Sequence, residues 1–155
     1  MSTLQWSDAL SLDLPLMDAT HREFVDLLAA VSDAPDGELV GAWVRLIDHT
    51  DAHFGQEDRW MAQTRFASGN CHATQHDVVL KVLREGLSAG AAGQLEVIRQ
   101  LARELAAWFP QHAQTMDAAL ALHLRNVGFD PLTGAVAHQE RLPTEAITGC
   151  GGSCG

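Results

Sequence analysis

The stretch "HTDAHFGQED" (49–58) sets His49, His53 and Glu57 four residues apart, a spacing that stacks side chains on one face of a helix. Imidazole and carboxylate at that spacing can ligate a transition metal, although a single such pair is common. Three further stretches carry groups of the same kind: "MDATH" (17–21), "HATQH" (72–76) and "HAQTMD" (112–117). They add His21, His72, His76, His112 and Asp117 to His53 and Glu57. Whether these seven side chains make one site depends on the elements that carry them.

Hydrophobic periodicity predicts four helices. From Asp18, the residues His21, Phe24, Leu28 and Val31 recur at helical spacing and stop at the turn formers "SDAPDGE". A second stretch runs from about Glu38 through Trp43, Leu46, Thr50, His53, Glu57 and Trp60 to "FASGN". A third starts near Asn70 and carries His72, His76, Val79 and Leu83 to "SAGAAG". The fourth takes Leu95, Ile98, Leu101, Leu105, Trp108 and His112 on towards Leu124, after which "NVGFDPLTG" reads as turn and loop. No stretch alternates like a half-buried strand. Short connections between four helices predict an all-α, antiparallel up-down-up-down four-helix bundle. The organisation read from this is an N-terminal arm (1–17), the bundle (18–125) and a C-terminal loop with a Gly/Cys tail (126–155).

In that topology the start of the first helix, the end of the second, the start of the third and the end of the fourth share one end. His21, His53 with Glu57, His72 with His76, and His112 with Asp117 occupy those places, so all seven converge on one level of the core. Buried imidazoles and carboxylates are costly unless paired, and a metal satisfies many at once. Five imidazoles and two carboxylates exceed the ligand set of one zinc and suit two ions. Imidazole with carboxylate favours iron among redox metals, with carboxylates able to bridge two ions between helices. One pair fits poorly: His112 and Asp117 are five apart, about 140° around an ideal helix. Pro110 removes a helical hydrogen bond nearby and could permit a kink or π-type widening that turns Asp117 inward.

The combined pattern of a lone His, HxxxE, HxxxH and HxxxxD resembles the hemerythrins, most closely the bacterial ones, over roughly residues 4 to 125. The opening "LQWSDALSLDLPLMDATH", with Trp6 as its landmark, is similar to the family's N-terminal arm. The resemblance implies two iron ions per chain joined by an oxo or hydroxo bridge. It puts His72, His76 and His112 on one iron, His21 and His53 on the other, and Glu57 and Asp117 between them. It further implies reversible dioxygen binding, for storage, delivery or sensing, at the iron with an open position. Ferritin-like carriers would instead show Glu-x-x-His pairs, and this chain has none.

The remaining residues read more plainly. His49 lies one turn from the cluster level and is expected to pack in the core with a hydrogen bond, a part in proton transfer being the alternative. His123 and His138 are expected in solvent, and Trp43, Trp60, Trp108, Phe24 and Phe54 in the core, some of them walling the metal site. Cys71 reads as a small buried apolar residue, and Cys150 and Cys154 sit in "ITGCGGSCG" as a flexible tail with a facultative disulfide, or with a thiol redox or soft-metal role. The net charge of −10 argues against nucleic acid or an anionic membrane as partner. A start without Lys or Arg and no apolar run near the roughly 20 residues of a membrane helix suggest a cytoplasmic protein. The chain contains no Tyr and no spare acid near the open iron, which favours a binding protein over an enzyme. Peroxidase or nitric oxide reductase chemistry, or metal buffering, are the alternatives.

Overall fold

The computed structural model describes residues 4–67 and 69–144. Four long helical rods pack side by side: α1 (Pro15–Asp33), α2 (Asp36–Gln63), α3 (Gly69–Ala91), and a last rod made of α4 (Leu95–His112), a π-helical turn (Ala113–Asp117) and α5 (Ala118–Val127). Neighbours in the chain are neighbours in space, and α1 closes the ring against α4. This is the antiparallel four-helix bundle that the periodicity predicts. Among the described residues the extended pairing is limited to one isolated bridge, Phe129 with Val136. No helix among them is long and apolar enough to cross a membrane.

The helix boundaries obey local chemistry. Helix α1 begins at Pro15, ahead of Asp18, because proline's fixed φ suits a first helical position and its missing N–H has no partner to lose there. Asp18 then clasps the preceding arm: its carboxylate accepts from Ser11 Oγ (2.7 Å) and from the Leu12 N–H (2.8 Å). In the arm, Trp6 lies under the guanidinium of Arg22. Helix α5 stops at Gly128, whose φ of 66° is left-handed. A Cβ there would come within 2.7 Å of the Ala137 side chain, so glycine is needed for both conformation and space.

Two apolar clusters fill the bundle. The larger joins Phe24, Leu28, Val31, Leu39, Trp43, Leu46, Leu83, Ile98, Leu105 and Phe109. The smaller joins Leu14, Met17, Trp60, Met61, Leu120, Leu124 and Phe129, with Val136 and Leu142 packed against it. The segment read from sequence as loop therefore returns along the bundle and covers its end. In the larger cluster α3 approaches α4 closely: a Cβ on Gly86 would fall 2.5 Å from Leu101 Cδ1, and one on Gly90 would fall 2.3 Å from Ile98 Cδ1. Between the clusters lies a polar layer.

Candidate metal centre

All seven residues singled out in the sequence meet in that layer, each no more than 3% exposed. His21 comes from α1 between Met17 and Phe24. His53 and Glu57 sit one turn apart on α2, and His72 and His76 one turn apart at the start of α3. His112 ends α4, and Asp117 ends the π-turn. In an i→i+5 turn, residues five apart share a face, and His112 Nε2 accordingly lies 3.1 Å from Asp117 Oδ1. The π-type widening after Pro110 is thus present and turns Asp117 into the core.

The two carboxylates divide the five imidazoles. Glu57 directs Oε2 to His53 Nε2 (2.8 Å) and His21 Nε2 (3.5 Å), and Oε1 to His76 Nε2 (3.4 Å) and His72 Nε2 (3.6 Å). Asp117 directs Oδ2 to His21 Nε2 (3.1 Å), and Oδ1 to His72 Nε2 (3.0 Å) and His112 Nε2. Ligand atoms of Glu57, His72, His76, His112 and Asp117 lie within 4.8 Å of one another, as do those of His21, His53 and Glu57. His72 Nε2 and His112 Nε2 approach to 3.3 Å. Five of these buried atoms, His21 Nε2, His76 Nε2, Glu57 Oε1 and both Asp117 oxygens, have no hydrogen-bond partner among the described residues. Inward-facing buried nitrogens and oxygens without partners are costly, and cations supply what they lack. The N/O donor set suits first-row transition metals, and its size exceeds one ion's needs.

Without a cation, protons substitute. Burial disfavours the charged form of His21, but Asp117 and Glu57 outweigh it and raise its pKa to about 10. His76 is likewise opposed by burial and raised to about 9 by Asp58 and Glu57. Burial pushes His112 the other way, below the ordinary imidazole value. Burial also works against ionised Glu57 and Asp117, yet the surrounding imidazoles hold both below the usual carboxylate range.

Contacts behind the imidazoles add two residues that sequence reasoning did not assign, Asp58 and Gln75, to the expected aromatic wall. The Nδ1–H of His76 donates to Asp58 Oδ1 at 2.8 Å, and that of His112 donates to Gln75 Oε1. Phe54 stacks on His76 and Trp108 on His112. His49 is half-buried and stands outside the cluster: Nε2–H donates to the Thr20 carbonyl (3.1 Å) and Nδ1 lies 3.6 Å from Glu23 Oε2. This is the packed, hydrogen-bonded histidine that its position suggests. His123 departs from expectation. It is half-buried, against Phe66, with Nε2 donating to the Thr64 carbonyl (2.9 Å), one of the acceptors that the end of α2 leaves open. His138 remains half-exposed. Cys71 is buried, as the sequence suggests, and is disulfide-bonded. Cys150 and Cys154 lie outside the described residues.

An antiparallel helical bundle with a dry imidazole–carboxylate layer across its middle defines a helical metal-binding protein. Residues 12–124 match the Hemerythrin HHE cation binding domain, and the chain belongs to that family. It is 39% identical over 137 residues to a bacteriohemerythrin of Ralstonia nicotianae, covering 88% of this chain and 100% of the relative. A bacteriohemerythrin of Stenotrophomonas maltophilia is 25% identical over 128 residues (78% of this chain, 81% of the relative). One of Pseudomonas aeruginosa is 25% identical over 122 residues (76% and 79%).

Proposed function

We propose that this chain binds dioxygen reversibly at a non-haem di-iron centre, acting in the cytoplasm as a binding protein rather than an enzyme. His72, His76 and His112 would hold one iron, His21 and His53 the other, with Glu57 and Asp117 bridging. The observation that carries this reading is the division of the carboxylates: one oxygen of each faces His21, and the other faces the three-His group. A carboxylate so placed can serve two ions, and the uneven split of imidazoles leaves one position with fewer protein ligands. Family membership and the relatives' name, bacteriohemerythrin, support the same reading.

Held there, a pair of irons would supply the electrons that reversible dioxygen binding takes. The chain's own residues keep the site dry and hold protons away from it. Phe24 and Phe109 pack together at 4.7 Å beside His21 and His53, and Phe54 covers His76, an apolar wall that excludes water. Both ring nitrogens of His49 are turned to Thr20 and Glu23, and burial keeps its pKa below the ordinary value. It is therefore a neutral imidazole engaged elsewhere, and no Tyr exists in the chain to take its place as an acid.

Iron analysis with an optical spectrum, taken anaerobically and then in air, tests the proposal. Two irons per chain, with an absorption band that appears in air and fades under vacuum, is the expected result. One zinc per chain, or a spectrum indifferent to oxygen, would overturn it. Fast turnover of hydrogen peroxide or nitric oxide, lost in His49→Ala, would replace the binding protein with an enzyme.

A further inference from the structure

We propose that the two metal positions fill in a fixed order, the His72–His76–His112 position first, because the fold fixes two of its imidazoles in the ligating orientation before any metal arrives. The inference rests on the two-metal reading above and concerns how the centre is assembled. A neutral imidazole presents a lone pair at only one nitrogen. To ligate through Nε2 it must carry its proton on Nδ1, and a hydrogen-bond acceptor at Nδ1 selects that tautomer and aims the ring.

The layer supplies such acceptors unequally. His76 Nδ1–H donates to Asp58 Oδ1 at 2.8 Å, and the ring lies flat on Phe54 with centroids 3.9 Å apart at 6°. His112 Nδ1–H donates to Gln75 Oε1 from the neighbouring helix α3, and the ring lies on Trp108 at 4.4 Å and 25°. Each of these imidazoles is held at an edge and on a face. His72 Nδ1 has no hydrogen-bond partner among the described residues, so two of three rings are fixed.

On the other side neither ring is fixed in this way. His21 Nδ1 and His53 Nδ1 are buried without a hydrogen-bond partner among the described residues. No aromatic ring among those residues lies flat on either: Phe109 meets His21 at 84°, and Phe54 and Phe24 meet His53 at 50° and 63°. A proton on those Nδ1 atoms is buried without an acceptor, which disfavours the tautomer that ligation needs. Capture at this position has to overcome that cost, whereas capture at the three-His position meets two rings already oriented. Asp58 and Gln75 are accordingly positioning residues.

The test is anaerobic titration of metal-free protein with Co(II), followed by its visible bands and by calorimetry, with circular dichroism to check the fold. Two phases of one equivalent each are expected, the first at least roughly 10-fold tighter. Asp58→Leu and Gln75→Leu should each weaken the first phase by roughly 10- to 100-fold, the usual cost of losing an outer partner of a ligating histidine. Asp58→Asn, whose amide oxygen still accepts from Nδ1–H, should retain most of it and keeps the test available if the leucine variant fails to fold. His53→Ala should preserve the tight equivalent and lose the weak one. A single constant for both equivalents, a His53→Ala protein without the tight phase, or Asp58→Leu with an unchanged first phase would overturn the order. Ordered uptake of two Co(II) by a protein whose iron form ignores oxygen would refute the proposed function alone. Equal constants beside an intact oxygen response would refute the order alone.

Discussion

The larger apolar cluster and the polar layer are built on the same rods and are equally dry, yet they contribute to folding with opposite sign. Around Trp43, Leu39, Leu46 and Ile98 burial is complete and needs no partner beyond one hydrogen bond, from Trp43 Nε1 to the Leu83 carbonyl (2.9 Å). Two glycines let α3 close on α4 there, and the resulting contact density is what stabilises a core. A few turns along, burial of five imidazoles and two carboxylates costs free energy until ions occupy the layer. Stability and ligand capture are thus separated along the bundle axis, and each can be perturbed while the other is measured.

The largest effect should come from the apolar side. Trp43→Ala should lower the unfolding free energy of metal-free protein by about 3–5 kcal/mol, measured by denaturant titration. A loss no greater than that of His53→Ala would break the contrast.

Removing the metal is next. Ions bound only by the folded state stabilise by about 4 kcal/mol when present at roughly 1,000 times their dissociation constant, so chelation should lower the melting temperature and reloading should restore it. His53→Ala and Asp117→Ala should mimic chelation, with iron content and the oxygen-dependent band reduced while circular dichroism stays helical.

A subtler test uses pH. His21 at about 10 and His76 at about 9 both lie above the unfolded imidazole value of 6.5, so their stabilisation of the metal-free protein is complete below pH 6.5 and is lost as pH rises through 9 to 10. Metal-free protein should therefore melt at lower temperature at pH 10 than at pH 6.5. Metal uptake should release protons across the same window and be tighter at its upper end, as titration in two buffers of different ionisation enthalpy would record. Smallest of all should be truncation after Leu142. It removes the Pro143 and Thr144 carbonyls that Arg65 contacts but no group of the layer, so iron content and the oxygen-dependent band should be unchanged.

Much of this arrangement is legible in the residues themselves. Apolar period gives the helices, short turns give their order, and the order puts His21, His53, His72 and His112 at one depth. Even the π-turn is announced, by a five-residue spacing that an α-helix cannot use and by Pro110 before it. Asp58 and Gln75 are different. They lie beside Glu57 and His76, off the buried stripe, and their contacts depend on which way a neighbouring ring faces, which spacing does not encode. His123 is similar, since the acceptor it finds is a carbonyl freed where α2 ends and the chain turns at Arg65, whose φ is 53°. The packing of Val136 and Leu142 on the smaller cluster leaves no periodic trace because the segment is not a helix.

The π-turn also sets the phase of helix α5. Buried positions on the last rod run Ile98, Ala102, Leu105, Phe109, His112 and Ala113, and resume at Asp117, Leu120, Ala121, Leu124 and Val127. The step between the two polar positions, His112 to Asp117, is five. Helix α5 stays in register with α4 because the widened turn absorbs one surplus residue, and Gln114 and Thr115, within that turn, face solvent. Without the widening, either Asp117 or the whole α5 stripe would be rotated about 100° out of the core. One bulge thus keeps two alignments at once, the carboxylate with the layer and Leu120 and Leu124 with the smaller cluster. Excising Gln114 would leave a spacing of four between His112 and the carboxylate, which an unbroken α-helix already satisfies.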